Sequence, residues 1–289
     1  MTILNFGSCC IDNVYLVPHF AQPGETLPCS EYQVHAGGKG LNQSLALKYA
    51  GVPVRHAGKV GKDGIWLKEL LEKSDVDTSL LLIEEGPSGH ANIQVNISGE
   101  NSIVLFGGTN KTITQRDADE ILQHAKYGEF LLLQNEISSL DYVMSRAAKK
   151  GLRIAFNAAP MTESVLNLPL DSVELLIINE LEGKALTGQI EPDAILNALS
   201  EKYSLPNVVL TLGSAGAIYA SNNKRISRNS ESVEAIDTTG AGDTFTGYFL
   251  AGYSQDKSID ECLATACKAA AICVTRAGAA SSIPRVSEL

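Results

Sequence analysis

From about residue 112 onward the chain alternates short apolar runs with helical patterns, and this alternation limits the fold more than any other feature. Helix Gln115–Lys126 leads to strand Phe130–Leu133, and helix Leu140–Lys150 leads to strand Arg153–Phe156. A buried run, Leu175–Ile178, precedes helix Glu180–Leu186, and helix Pro192–Tyr203 leads to strand Val208–Thr211. Runs such as Leu131-Leu132-Leu133 have no polar face, so such strands must be covered on both sides. The pattern predicts an α/β fold, a doubly wound and mostly parallel sheet with helices on both faces. A hairpin-like stretch, a helix opened by Gly240-Ala241-Gly242 and an Ala-rich helix, Ile259–Thr275, close the chain.

The first half adds something else. Strands Ile3–Phe6 and Val54–Val60 and helices Gly38–Ala50 and Gly64–Lys73 continue the α/β pattern, with Leu41, Leu45 and Tyr49 at four-residue spacing. Between them lie extra strands, Val14–Val17 and Tyr32–His35, and a hairpin of Ala91–Ile97 with Ser102–Phe106. Their polar faces predict a small sheet inserted at about 14–35 and 90–106 into one domain spanning 1–289. A lid over a site and ordinary edge strands both fit this pattern.

The stretch Asp237-Thr-Thr-Gly-Ala-Gly-Asp243-Thr-Phe carries the chemistry. A glycine turn opening a helix presents unpaired N–H groups and the positive end of the helix dipole, an anion site suited to phosphate. A carboxylate beside phosphate is electrostatically awkward unless it acts on a hydroxyl that attacks the phosphate. The same residues also suit a plain helix start with Asp in its first turn, and the segment alone leaves both readings open.

Bulk properties narrow the class. The formal net charge of −10 argues against nucleic acid or an anionic membrane as main partner. It leaves a nucleotide open, since small phosphates are held by backbone amides and Mg²⁺. The six cysteines include no Cys-x-x-Cys pair, and the five histidines are scattered, so reduced buried thiols are expected rather than a zinc site. A start without a basic, apolar leader makes a cytoplasmic location the default expectation. A Walker loop fails because Gly58-Lys59 is followed by Val60, and a dinucleotide fingerprint fails because Phe245 stands where its third glycine belongs.

A second glycine cluster, Ala36-Gly37-Gly38-Lys39-Gly40-Leu41-Asn42, sits at another strand-to-helix junction. Its N–H groups, the Lys39 cation and the Asn42 amide suit polyol hydroxyls, although alone it reads equally as a loop of special geometry. Intermediate landmarks are Gly7-Ser8-x-x-x-Asp12, Pro23-Gly24-Glu25-Thr26, Gln134-x-Glu136, Asn179-x-x-Glu182, Thr211-Leu-Gly-Ser-x-Gly216 and Thr275-Arg-x-Gly278. Together with the two glycine clusters they resemble the ribokinase family of sugar kinases, the PfkB-type carbohydrate kinases, over nearly the whole chain.

The resemblance implies an ATP-dependent kinase acting on a primary hydroxyl of a pentose, with D-ribose the first choice. It implies a β-sheet lid, and a homodimer formed through the lid. By the same similarity Asp243 is the base, and Gly240, Ala241 and Gly242 form the anion hole. Asp12, Cys10, Gly38, Lys39, Asn42 and Glu136 match sugar positions. Asn179, Thr211, Gly213, Gly216, Gly242 and Cys267 match nucleotide positions, and Glu182 organises Mg²⁺ through water. Asp237, Thr239, Cys273, Arg276, Gly278 and Ser282 match a K⁺ site built mostly of backbone oxygens.

The chain departs from ribokinases proper at Cys10, where their Gly-Ser-x-Asn-x-Asp has asparagine. A thiol is a weak hydrogen-bond partner, which opens the way to deoxyribose or another sugar. A nucleoside kinase of the same fold would want an aromatic base pocket, and the first-strand region has few aromatics. A non-catalytic sugar-binding regulator would be expected to lose the base, and Asp243 is present.

Overall fold

A computed structural model describes residues 2–221 and 224–289. The chain runs β1 (Ile3–Phe6), β2 (Cys10–Leu16), β3 (Glu31–Gly37), α1 (Lys39–Tyr49), β4 (Val54–Gly61), α2 (Ile65–Lys73), β5 (Asp77–Glu84), β6 (Gly89–Val95) and β7 (Asn101–Phe106). It continues α3 (Gln115–Leu122), β8 (Phe130–Gln134), α4 (Leu140–Lys149), β9 (Arg153–Asn157), β10 (Val173–Asn179), α5 (Glu180–Thr187) and α6 (Pro192–Lys202). It ends β11 (Asn207–Thr211), β12 (Ala217–Ser221), β13 (Lys224–Arg228), α7 (Ala241–Ser254) and α8 (Ile259–Val274).

Nine strands form one sheet in the order β13-β12-β11-β10-β9-β8-β1-β4-β5. Among the described residues only the β11–β12 and β12–β13 pairings of this sheet are antiparallel. Alternate strand residues feed two cores. Ile3, Phe130 and Leu132 pack with Leu41, Leu71, Phe249 and Leu263 of α1, α2, α7 and α8. Leu4, Leu131 and Leu133 pack with Ile121, Val143, Leu186 and Leu199 of α3 to α6. The expected two-sided cover is therefore present, because successive side chains of a strand point to opposite faces.

The strand order reverses at β1: the chain moves outward to β4 and β5, then returns to β8 on the other side. Open α/β sheets bind ligands at such a switch point, beyond the carboxyl ends of the strands. A separate four-stranded sheet, β3-β2-β6-β7, is inserted next to it. Its β2 begins at Cys10, earlier than the Val14 start expected, because it pairs along its full length with both β3 and β6.

Two other elements differ from expectation. Edge strand β5 escaped the periodicity because only Thr78 and Leu81 are buried along it. Helix α3 stops at Leu122 instead of Lys126, and His124 and Ala125 make tight turn bonds back to Ile121 and Leu122. Among the described residues no helix is long and apolar enough to cross a membrane.

Candidate active site

The switch-point crevice is closed at its base by Ser8, after β1, and Glu136, after β8. The Ser8 hydroxyl donates to Glu136 Oε2, which also accepts the Lys39 N–H at 2.9 Å. Lys39 opens α1, and the glycines around it are set by crowding. Gly38 has φ of 92°, a left-handed conformation, and a Cβ there would lie 2.9 Å from Cys10 N. A Cβ on Gly40 would collide with Ser8 N and lie 2.5 Å from Gly7 C, and one on Gly37 would strike the Asp12 carboxyl. The loop is thus packed directly on the β1–β2 turn, which brings Cys10 and Asp12 beside it.

Helix α7 enters from the opposite end of the sequence. Gly240 caps it in a left-handed conformation, φ 77°. Asp243 in its first turn is buried, and both its oxygens accept from α1: Asn42 Nδ2 donates to Oδ2 at 3.0 Å and Gln43 Nε2 to Oδ1 at 2.9 Å. A cavity of about 210 Å³ lies here, lined among others by Lys39, Asn179, Glu182, Thr211, Gly242 and Asp243. Gly240 also lines it, whereas the Ala241 N–H turns aside to donate to Thr238 O at 3.3 Å. Among the described residues Asn42 Oδ1 and Thr244 Oγ1 are buried with no hydrogen-bond partner, so polar capacity near Asp243 is left over.

The charges here are crowded and mostly negative. Burial, then Glu136 and Asp243, push the Asp12 carboxyl up to about 7. Burial, with Asp243 adding to it, also raises Glu182 despite the backbone N–H of Asn179 and the charge of Lys39. The Lys39 ammonium is held in its charged form chiefly by Asp243, against its burial, with Glu136 and Glu182 helping.

Asn179 ends β10 and caps α5. Its Oδ1 accepts the Glu182 N–H at 2.8 Å, and Glu182 Oε2 accepts the Asn179 N–H at 2.9 Å. The pair is thus a reciprocal helix cap that also faces the cavity. Thr211 ends β11 alongside Asn179, in register with it. Beyond it Gly213 and Gly216 take left-handed φ of 55° and 102°, and Gly216 O accepts the Leu212 N–H. Cys267 of α8 is buried in the apolar core, with burial pushing its thiol up to about 11, and does not line this cavity.

The loop before α7 is tied to the loop after α8. Asp237 Oδ1 accepts the Thr239 N–H and Oδ2 the Gly278 N–H, each at 2.9 Å. Burial opposes the Asp237 charge, but these donors outweigh it and hold the carboxyl below its usual range. Ser282 Oγ lies 3.0 Å from Cys273 Sγ, while the Arg276 side chain turns outward to Glu288.

Two buried polar residues at the site escape the sequence motifs: Gln43 and Asn157, joined by a 3.0 Å bond from Gln43 Nε2. One signal marks Gln43: Asn42-Gln43-Ser44 is a polar run inside an otherwise apolar helix.

Comparison with known proteins agrees with this geometry. The pfkB family carbohydrate kinase model matches residues 2–286. A ribokinase of Haemophilus influenzae is 34% identical, the match covering 99% of this chain and 96% of that one. A deoxyribokinase of Salmonella typhi is 28% identical, covering 100% and 97%. The structure of Arabidopsis thaliana ribokinase complexed with ribose and ATP superposes with a TM-score of 0.86 at 30% identity, covering 98% of this chain and 95% of that one.

Proposed function

The chain belongs to the pfkB family of carbohydrate kinases, and we propose that it transfers the γ-phosphoryl group of ATP to a primary hydroxyl of a pentose, D-ribose first. One observation carries this reading: the buried Asp243 carboxylate at the α7 N-terminus, held by α1, faces a cavity that also holds Lys39. The relative solved with ribose and ATP supports both substrates.

A carboxylate is far too weak a base to deprotonate an alcohol in advance. A loose phosphoryl transfer does not need it to. Asp243 orients the hydroxyl and takes its proton as the oxygen–phosphorus bond forms. The N–H groups of Gly240, Ala241 and Gly242 face the charge growing on the phosphoryl oxygens, Ala241 after releasing its turn bond to Thr238. Each such donor is worth roughly 3 kcal/mol. Lys39 adds a cation to the same cavity. Asp12, Gly38, Asn42 and Glu136 hold the sugar, with Cys10 beside them, and Asn179, Thr211, Gly213 and Gly216 hold the nucleotide.

The residues fit the two cations this chemistry uses. Asp243 and Glu182 crowd one small cavity with Lys39 as counter-charge, so a divalent cation arriving with ATP relieves their repulsion, Glu182 holding it through water. Mg²⁺ there supplies charge neutralisation at the phosphates. Among the described residues Thr239 O accepts only a long 3.9 Å contact, from the Cys273 thiol, which leaves that carbonyl to a monovalent cation such as K⁺. The other oxygens of such a site come from Asp237, Cys273, Arg276, Gly278 and Ser282.

The four-stranded sheet acts as the lid of this one-domain enzyme. Residues 103–106 of β7 are apolar and each more than half exposed, as is Tyr32, which favours a homodimer packed lid to lid. An ATP-consuming kinase works where ATP is made available, so the cytoplasm is part of this reading.

Deoxyribose is the second reading. Cys10 offers a thiol, with Asn110 Nδ2 already 3.5 Å from its sulfur, where ribokinases present an amide to a hydroxyl. A coupled ADP-release assay against ribose, deoxyribose, other pentoses, hexoses and nucleosides decides. Ribose with no advantage over deoxyribose sinks the first choice, and turnover of no sugar at all would return the chain to a sugar-binding regulator.

A further inference from the structure

The buried amide chain beneath Asp243 has a direction that can be deduced. Carboxylate oxygens of an ionised Asp243 only accept, so the Gln43 atom 2.9 Å from Oδ1 is its nitrogen. Gln43 Oε1 then faces Gln134, whose nitrogen must donate to it, at 2.8 Å. The second Gln134 proton goes to Asn5 Oδ1 at 2.9 Å, which leaves Asn5 Nδ2 to donate to Gly40 O and to Ser44 Oγ. Ser44 therefore sends its own proton to His56 Nδ1, 2.8 Å away. The imidazole is neutral, since burial drives its basicity far down, to about 3, and it carries its proton on Nε2, facing Cys9 Sγ at 3.3 Å. Asn5, Gln43, Ser44, His56 and Gln134 are wholly buried, so bulk solvent does not compete for these bonds.

We propose that Gln43 is a positioning residue for this reaction: its amide, oriented from behind by Gln134, fixes the Asp243 carboxylate toward the acceptor hydroxyl. The inference deepens the kinase reading and rests on it. The amide is doubly pinned, since Nε2 donates to Asn157 Oδ1 as well as to Asp243. Asn42 holds the other carboxylate oxygen. With both oxygens held, the carboxylate plane cannot rotate about its Cβ–Cγ bond. The charged groups that also act on Asp243 come from other elements: Lys39 at the head of α1, Asp12 on β2 and Glu182 on α5. They impose charge without fixing an angle, whereas the amide fixes the angle.

The test pairs Gln43→Met with Gln134→Met. Gln43→Met keeps the length of the side chain and removes the donor. We expect kcat to fall roughly 10- to 100-fold with KM for sugar and ATP held within about threefold, because orientation is lost and binding is not. Gln134→Met lets the Gln43 amide turn over and lowers kcat in the same direction. The double variant is no slower than Gln43→Met alone, because the two act through one bond. A merely structural role gives lower thermal midpoints, unchanged kcat in the folded enzyme and additive losses. A folded Gln43→Met with wild-type kcat overturns the proposal. Where Gln43→Met does not fold, a folded Gln134→Met with wild-type kcat overturns it equally. A wild-type enzyme that turns over no sugar sinks the kinase reading instead, and a crystal structure of the variant then decides: Asp243 unmoved in Gln43→Met overturns the positioning role.

Discussion

Asn42 Nδ2 donates to Asp243 Oδ2 at 3.0 Å across 201 positions of sequence. The bond joins the two glycine-opened helix starts, α1 and α7. The helices run close enough that a Cβ on Gly247 would lie 2.9 Å from Leu47 N. Their N-termini meet at one cavity, so two helix dipoles favour negative charge in the same place. This offsets part of the repulsion among the carboxyl groups of Asp12, Glu182 and Asp243 and suits the cavity to the polyphosphate of the proposed reaction.

Replacing the base tests the core of the assignment. Asp243→Asn is expected to lower kcat by roughly 10²- to 10⁴-fold, the usual contribution of a positioned acid or base. The amide NH₂ would face the Asn42 or Gln43 donor, at a stability cost of about 1–3 kcal/mol. Steady-state kinetics with urea unfolding separates the two effects. Near-normal turnover in a folded variant would remove Asp243 from its role.

The buried Asp12 carboxyl should make stability depend on pH. Its folded value of about 7 exceeds the unfolded one near 3.9. Between those values the folded protein keeps a proton that the unfolded chain has released. Stability linked to Asp12 is therefore full at low pH and is lost as pH rises through about 7. Asp12→Asn removes this loss, so the thermal midpoint of the variant relative to wild type should climb from pH 5 to pH 8. A constant difference would show that Asp12 ionises as it does in the unfolded chain.

The helices were legible from periodic stripes such as Leu41, Leu45 and Tyr49, and the parallel strands from continuous apolar runs such as Leu131-Leu132-Leu133. Edge strand β5 was not, since half of it faces solvent and its pattern blurs. Motif spacing located Asp243, Lys39, Asn42 and Glu136, which chain reversal at β1 brings together. Gln43 and Asn157 stayed hidden, because an amide in a helix or at a strand end has no spacing rule. Its role exists only through the partners that tertiary packing delivers. The pair Asn179 and Glu182 shows the reverse case: the Asn-x-x-Glu landmark pointed to a site, and the structure shows that the two residues also cap α5 while bordering the cavity.

Packing at the glycine loop that opens α1 should be unforgiving. In Gly40→Ala the new methyl meets backbone atoms of Gly7 and Ser8, with no flexible side chain to yield. Forced overpacking costs roughly 1–3 kcal/mol and more where backbone must move. Shifting that loop also displaces Lys39 and the Ser8–Glu136 contact. We expect a lower urea midpoint together with a raised KM for sugar. Wild-type stability in Gly40→Ala would mean that the β1–β2 turn and α1 are not in close contact.

Sugar choice should turn on Cys10. Its sulfur is buried beside Asn110, whose Oδ1 accepts the Cys9 N–H at 3.1 Å and whose Nδ2 donates to Cys9 O at 2.8 Å. With both amide ends engaged, Asn110 has little left for a ligand hydroxyl, and the thiol itself is a poor partner. Cys10→Asn supplies a donor and an acceptor at this position. A site built to bond a hydroxyl discriminates against an analogue lacking it, so the ratio of kcat/KM for ribose over deoxyribose should rise by about tenfold or more. The gain should come from faster use of ribose, because deoxyribose has no hydroxyl at C2 to offer. A Cβ on the neighbouring Gly89 would already sit 3.1 Å from the Cys10 sulfur, so the larger amide needs that glycine to stay a glycine. An unchanged ratio in a folded Cys10→Asn enzyme would move sugar discrimination away from residue 10.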